Sequence, residues 1–174
     1  TEQLLDTGGG IKRAASLFNR QLPVLIHNVD ILSNVDLAAF YRHALEIKAD
    51  ALLLVSRRVT QRYLIFDSNM RLVGWTNVAT GEVKSPHDEI RQLHFVSPTE
   101  AESSYFQHSC YLCAFSGIHV LAPSAVQAVE AVDKDKFPIM EFYLNNCDRL
   151  DIRGELKTDL HLLDVGKLNS LQAA

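Results

Sequence analysis

Two apolar runs in this chain end on a carboxylate: "VLIHNVD" leads to Asp30, and "LHLLDVG" leads to Asp164 with Gly166 close behind. Open α/β sheets bind ligands at the carboxyl ends of their strands. Mg²⁺ takes one or two protein carboxylates and fills its octahedron with water and substrate phosphates. If the two strands are neighbours, the pair points to a divalent cation held against a nucleotide phosphate. Either Asp alone also suits a plainer role, capping the turn or helix that follows it.

A third candidate is "DTGGGIK", which puts Gly8, Gly9 and Gly10 at the opening of a helix. Glycine lets backbone approach a flat ligand closely, and a helix N-terminus favours anions. The spacing is neither the G-x-x-x-x-G-K-[ST] phosphate loop nor the G-x-G-x-x-G dinucleotide fingerprint. An ordinary glycine-rich start to a helix is the equal alternative. "CYLC", Cys110 to Cys113, has zinc-ligand spacing, but no second pair exists to complete four ligands, so buried free thiols are expected. His27, His43, His119 and His161 stand singly among apolar residues, as partly buried structural histidines do. Trp75 and Tyr63 are expected to pack within a hairpin rather than stack on a base.

The elements that must position these residues can be read from periodicity. Ile11 to Phe18 has helical spacing, and Pro23 to Asn28 is a buried-type strand. Asp36 to Ala49 is an amphipathic helix opened by an Asp, and Ala51 to Val55 is a second continuous apolar strand. "RYLIFDSNMRLVGWTN" is a hairpin turning at Asp67-Ser68-Asn69. Gly81 to Ser104 is polar and holds two prolines, as a loop does. Then come a strand from Cys113 to Leu121, helices at Pro123 to Val132 and Pro138 to Asn146, and short strands near Leu150 to Ile152 and Leu160 to Leu163. A closing helix is expected from Lys167. Alternation of helix and continuous apolar strand predicts an α/β fold, with a mixed, largely parallel sheet covered on both faces.

Bulk properties agree with one globular domain. The chain has 174 residues, 47% hydrophobic and 22% charged, with a formal net charge of −4. That charge gives no footprint for nucleic acid or an anionic membrane. No run approaches the ~20 apolar residues that span a bilayer, and no secretory leader is evident. Three cysteines in apolar surroundings suit a reducing compartment, so a cytoplasmic protein is expected.

In this order, "LLDTGGGIKRA", "PVLIHNVDIL", "FSGIHVLAP" and "LLDVGKLNSL" resemble the sugar-1-phosphate nucleotidyltransferases, over Leu4 to Ala173. The nearest likeness is to the mannose-1-phosphate guanylyltransferase and N-acetylmuramate-1-phosphate uridylyltransferase type. The resemblance implies a Rossmann-like three-layer fold over residues 1–174. It also implies an enzyme joining a nucleoside triphosphate to a sugar 1-phosphate with release of pyrophosphate, Mg²⁺ as cofactor, and no nucleic-acid or membrane partner. Oligomeric state is left open, a homo-oligomer included.

By that resemblance Gly8, Gly9, Gly10 and Asn28 lie against the nucleotide. Asp30 and Asp164 are the metal-holding catalytic carboxylates, and Ser116 and Gly117 line the sugar pocket. Phosphoryl-type transfer needs positioning and charge neutralisation more than a protein nucleophile, which suits this set. Departures include Val29 in place of the family's glycine, which narrows the space beside the ribose, and Leu162 and Lys167 in place of tryptophan and threonine. The Glu-Lys-Pro element is replaced by "WTNVATGE". The family's opening strand, G-x-G-T-R-L loop and Pro-Lys-Pro element are not found ahead of Thr1. The polypeptide as it stands is therefore expected to be inactive alone and to leave a sheet edge exposed. A nucleotide-binding module without turnover and a metal-dependent glycosyltransferase of related fold are the alternatives.

Overall fold

The computed structural model describes residues 4–99 and 101–165; the helix expected from Lys167 lies outside them. In chain order the elements are α1 (Asp6–Ala14), a 3₁₀ turn at Ala15–Leu17, β1 (Val24–His27), β2 (Ile31–Ser33), α2 (Leu37–Ile47) and β3 (Ala51–Ser56). A meander follows: β4 (Arg62–Phe66), β5 (Leu72–Asn77) and β6 (Glu82–Lys84), then α3 (Asp88–Arg91) and a 3₁₀ turn at Glu102–Tyr105. The rest is β7 (Phe106–Gln107), β8 (Cys110–Leu121), α4 (Pro123–Glu130), α5 (Ile139–Asn146), β9 (Ile152–Leu156) and β10 (Leu162–Asp164).

The central strand is β8. Its second half lies between β1 and β3, antiparallel to both, and its first half between β4 and β7. β3 also pairs with β9, and that is the parallel pair in the sheet. The sheet is mixed, as expected, but mostly antiparallel rather than mostly parallel. β1, β3 and β9 do run the same way, yet β8 is inserted between the first two. Continuous apolar runs report burial on two faces, not strand direction.

β3 is buried at every residue and shows why the layers form. Ala51, Leu53 and Val55 face the cluster that includes Ile11 and Ala15, Val126 of α4 and Phe142 of α5, while Leu52 and Leu54 face Phe40 and Ala44 of α2. Period-2 alternation thus splits one strand between two helical layers. Asp36 starts α2 by accepting a hydrogen bond from the Ala39 amide, 2.9 Å, which satisfies one of the free N–H groups of the first turn. The meander builds a third small core from Tyr63, Ile65, Phe95 and Leu112.

Three local expectations change. The helix expected from Ile11 begins earlier and contains the glycines: an added Cβ on Gly8 would stand 2.4 Å from the Phe137 ring, and one on Gly9 2.1 Å from the Asp135 carbonyl oxygen. The Gly81 to Ser104 excursion holds β6 and α3. β8 starts three residues before Cys113, because its first residues pair with β7. Among the described residues β1 pairs with β8 alone, and its four residues are half-buried. No helix among the described residues is long and apolar enough to cross a membrane.

Candidate functional site

The chain leaves β1 through a tight turn. The Asn28 amide donates to the Gly117 carbonyl (3.1 Å), and the Ile31 amide donates back to the Asn28 carbonyl (3.2 Å). Val29 at the turn's tip is 99% exposed, so its side chain fills no cavity here. β2 then pairs antiparallel with β10, setting Asp164 opposite Ile31, and the Val165 amide donates to the Asp30 carbonyl at 2.8 Å. This two-stranded ladder brings Asp30 and Asp164 to adjacent rungs. Asp30 is exposed, and no other described residue bonds its carboxylate.

Beside the ladder is a pocket of about 230 Å³ walled by Asn28, Arg58, Phe115, Ser116, Gly117 and Asp164, among others. It lies at the carboxyl ends of β1 and β3, where the topology favours ligand binding. Four of the sequence-derived residues meet there.

Two of the four have local structural duties as well. Ser116 is buried, and its Oγ donates to the Leu54 carbonyl at 2.7 Å. The β3–β8 ladder loses register between Leu53 and Val55, and the hydroxyl supplies that carbonyl with a donor. Gly117 has φ +79°, and an added Cβ would stand 2.8 Å from Asn28 Nδ2. Only glycine combines this backbone conformation with so close a neighbour.

Gly8, Gly9 and Gly10 do not line this pocket. Gly8 and Gly9 are buried against 135–137, while Gly10 is exposed with open space beside its Cα. Lys12 holds the same segment, its Nζ donating to the Val132 (2.7 Å) and Lys134 (3.2 Å) carbonyls and meeting the Asp135 carboxylate at 3.2 Å.

The sequence reading missed Arg58. It follows a fully buried strand and is itself exposed, with no carboxylate partner among the described residues. The available signal was its place: the second of two arginines after an apolar strand, at the end of the sheet where the carboxylates were expected.

Other titratable groups are structural. His119 is buried and shares a hydrogen bond with the Tyr143 hydroxyl; burial lowers its pKa to about 3. Cys110 and Cys113 lie in different cores, and burial pushes the Cys113 thiol up to about 12. They are free thiols, not a ligand pair. Tyr63 packs, as expected, its hydroxyl accepting from the Thr60 amide at 2.9 Å.

Among the described residues no group of three or more His, Cys, Asp and Glu side chains is placed to cage a metal. The donors at the ladder are two carboxylates and a carboxamide. Such hard oxygen donors in small number fit Mg²⁺ completed by water and phosphate, and do not fit a closed zinc site.

This three-layer arrangement, with a mixed sheet and a pocket at the carboxyl ends of β1 and β3, is a nucleotidyltransferase fold. Among solved structures the chain is similar to HddC from Yersinia pseudotuberculosis (16% identity, TM-score 0.65), covering 100% of this chain and 63% of that one. It is also similar to a protein from Bacillus anthracis, named provisionally as a glucose-1-phosphate thymidylyltransferase and solved with sucrose. There the identity is 10%, the TM-score 0.64 and the coverage 99% and 61%. The chain therefore spans about three-fifths of each neighbour's length. No family's sequence model matches it, and no curated protein matches it by sequence.

Proposed function

We propose that the protein is a Mg²⁺-dependent nucleotidyltransferase that joins a nucleoside triphosphate to a sugar 1-phosphate, giving a nucleotide sugar and pyrophosphate. The observation that carries the reading is the β2–β10 ladder, which sets Asp30 and Asp164 on adjacent rungs, with Asp164 in the wall of the pocket.

In this reading Asp30 and Asp164 would hold the cation, which when bound neutralises charge on the triphosphate. Asn28, held in place by its backbone bond to Gly117, presents a carboxamide to the nucleotide. Arg58 presents a guanidinium to the acceptor phosphate, so that the incoming oxyanion is drawn into the pocket and oriented there. Ser116 and Gly117 shape the wall on the sugar side. No side chain need act as nucleophile, because the acceptor phosphate oxygen is already anionic. Gly8, Gly9 and Gly10 are assigned to the nucleotide by resemblance alone; for Gly8 and Gly9, packing against 135–137 accounts for their small size.

The test is pyrophosphate release by the full-length protein, measured against a panel of triphosphates and sugar 1-phosphates. Asp30→Asn and Asp164→Asn should each lower turnover by about 10²-fold or more and leave the circular dichroism spectrum unchanged. Near-normal turnover in both variants would refute the two-carboxylate assignment. Tight binding of a triphosphate with no release for any acceptor would mean a binding module instead.

A further inference from the structure

The pocket beside Asp164 is one end of a longer groove. A hollow of about 240 Å³ shares Arg58 and Phe115 with that pocket, and it shares Arg62, Trp75 and Met140 with a much larger hollow of about 910 Å³. The groove runs from Asp164 past Arg58 and Phe115 to Trp75 and Arg62, between the meander and α5.

The charges along it are not equally committed. Arg91 is paired with Asp88 and donates to the Ser85 carbonyl at 2.7 Å. Lys84 lies 3.3 Å from Glu82 and 5.0 Å above the Trp75 ring. Glu141 is answered by Lys134 at 2.8 Å. Arg62, exposed at the first residue of β4, has no carboxylate partner among the described residues, and neither has Arg58. Two uncommitted guanidinium groups therefore flank the aromatic stretch formed by Phe115 and Trp75. A guanidinium is a planar fork matched to carboxylate or phosphate, and Trp75, which lines both hollows, offers a sugar ring apolar contact.

We propose that this groove selects an acceptor carrying two anionic groups. Its phosphate sits at the Arg58 end beside Asp164, its ring lies against Trp75, and a second anion, carboxylate or phosphate, is read by Arg62. The inference rests on the nucleotidyltransferase reading and gives its acceptor a chemical class. Arg62 is then a specificity-determining residue.

The experiment compares three probes in the full-length protein: glucose 1-phosphate, glucose 1,6-bisphosphate and glucuronic acid 1-phosphate, each with a panel of triphosphates. A doubly anionic probe should have the higher kcat/KM, by about tenfold or more for a charge-assisted pair. Arg62→Gln should abolish that preference, and Arg62→Lys should keep part of it. Whichever of the two doubly anionic probes is preferred identifies the second anion. A preference for glucose 1-phosphate, or a ratio unchanged in Arg62→Gln, overturns the proposal.

If no combination releases pyrophosphate, the nucleotidyltransferase reading has failed, and calorimetric binding of the same probes tests the groove by itself. Tighter binding of a doubly anionic probe that Arg62→Gln removes supports it. Equal binding of all three overturns it.

Discussion

Gly117→Ala tests the joint between the sheet and the pocket. The residue has φ +79°, a region that costs an L-residue with a Cβ about 1–2 kcal/mol. The new methyl would also stand 2.8 Å from Asn28 Nδ2 and 3.2 Å from its Cγ, so the Asn28 side chain must turn away. Driving it off its rotamer costs about 0.5–1.5 kcal/mol. Together these give a loss of about 2–3 kcal/mol. At roughly 2–4 °C per kcal/mol for a domain of this size, the melting temperature should fall about 5–10 °C.

Urea unfolding followed by circular dichroism gives the loss directly. The double variant Asn28→Ala/Gly117→Ala separates the two parts, because without the Asn28 side chain only the backbone cost remains. About 1 kcal/mol should be recovered relative to the sum of the single variants. A Gly117→Ala protein within about 0.5 kcal/mol of wild type refutes both parts of the reasoning. Strict additivity in the double variant refutes the contact with Asn28.

In α1, Gly8→Ala and Gly9→Ala should each destabilise by about 1–3 kcal/mol through forced displacement of 135–137. Gly10→Ala, facing open space, should be neutral or stabilise by up to about 1 kcal/mol; equal effects at all three positions in the same urea titration would contradict the packing described. His119 should make stability depend on pH. Its folded pKa, lowered to about 3, lies below the unfolded value near 6.5, so the unfolded chain binds a proton that the folded one does not. Stability is complete above the unfolded value and falls as pH drops from there toward 3. His119→Gln should remove that share of the slope between pH 6 and pH 4, and an unchanged slope would place the titration elsewhere.

The elements that were legible in the sequence are those whose burial leaves a periodic mark. β3, "ALLLVS", and α2 with its Asp cap needed no tertiary information, because apolar spacing and one capping carboxylate define them. Strand direction left no such mark, and the parallel expectation failed there. β6, "EVK", was invisible because two of its three residues are exposed and an edge strand needs no apolar alternation. β7 has two residues, so the early start of β8 could not be foreseen either.

The site divides in the same way. Strand-then-Asp pointed to Asp30 and Asp164, but the ladder that joins them is three residues deep on each side and has no sequence signature. The glycines illustrate an ambiguity of chemistry. Close approach of a ligand and close approach of the protein's own backbone demand the same small residue, and the sequence does not distinguish them.

The position of β8 has a consequence for synthesis on the ribosome. β1 and β3 are made early, but neither pairs with the other; both pair with β8. A nascent chain that has not yet released Cys110–Leu121 holds two apolar strands with no ladder between them, and only the β4–β5–β6 meander can close locally. Sheet formation must wait for a distant segment, so the contacts are long-range and slow to form. Last among the described elements comes β10, which completes the ladder beside Asp30. The strands that set Asp30 beside Asp164 can therefore pair only after every strand of the central sheet has been made.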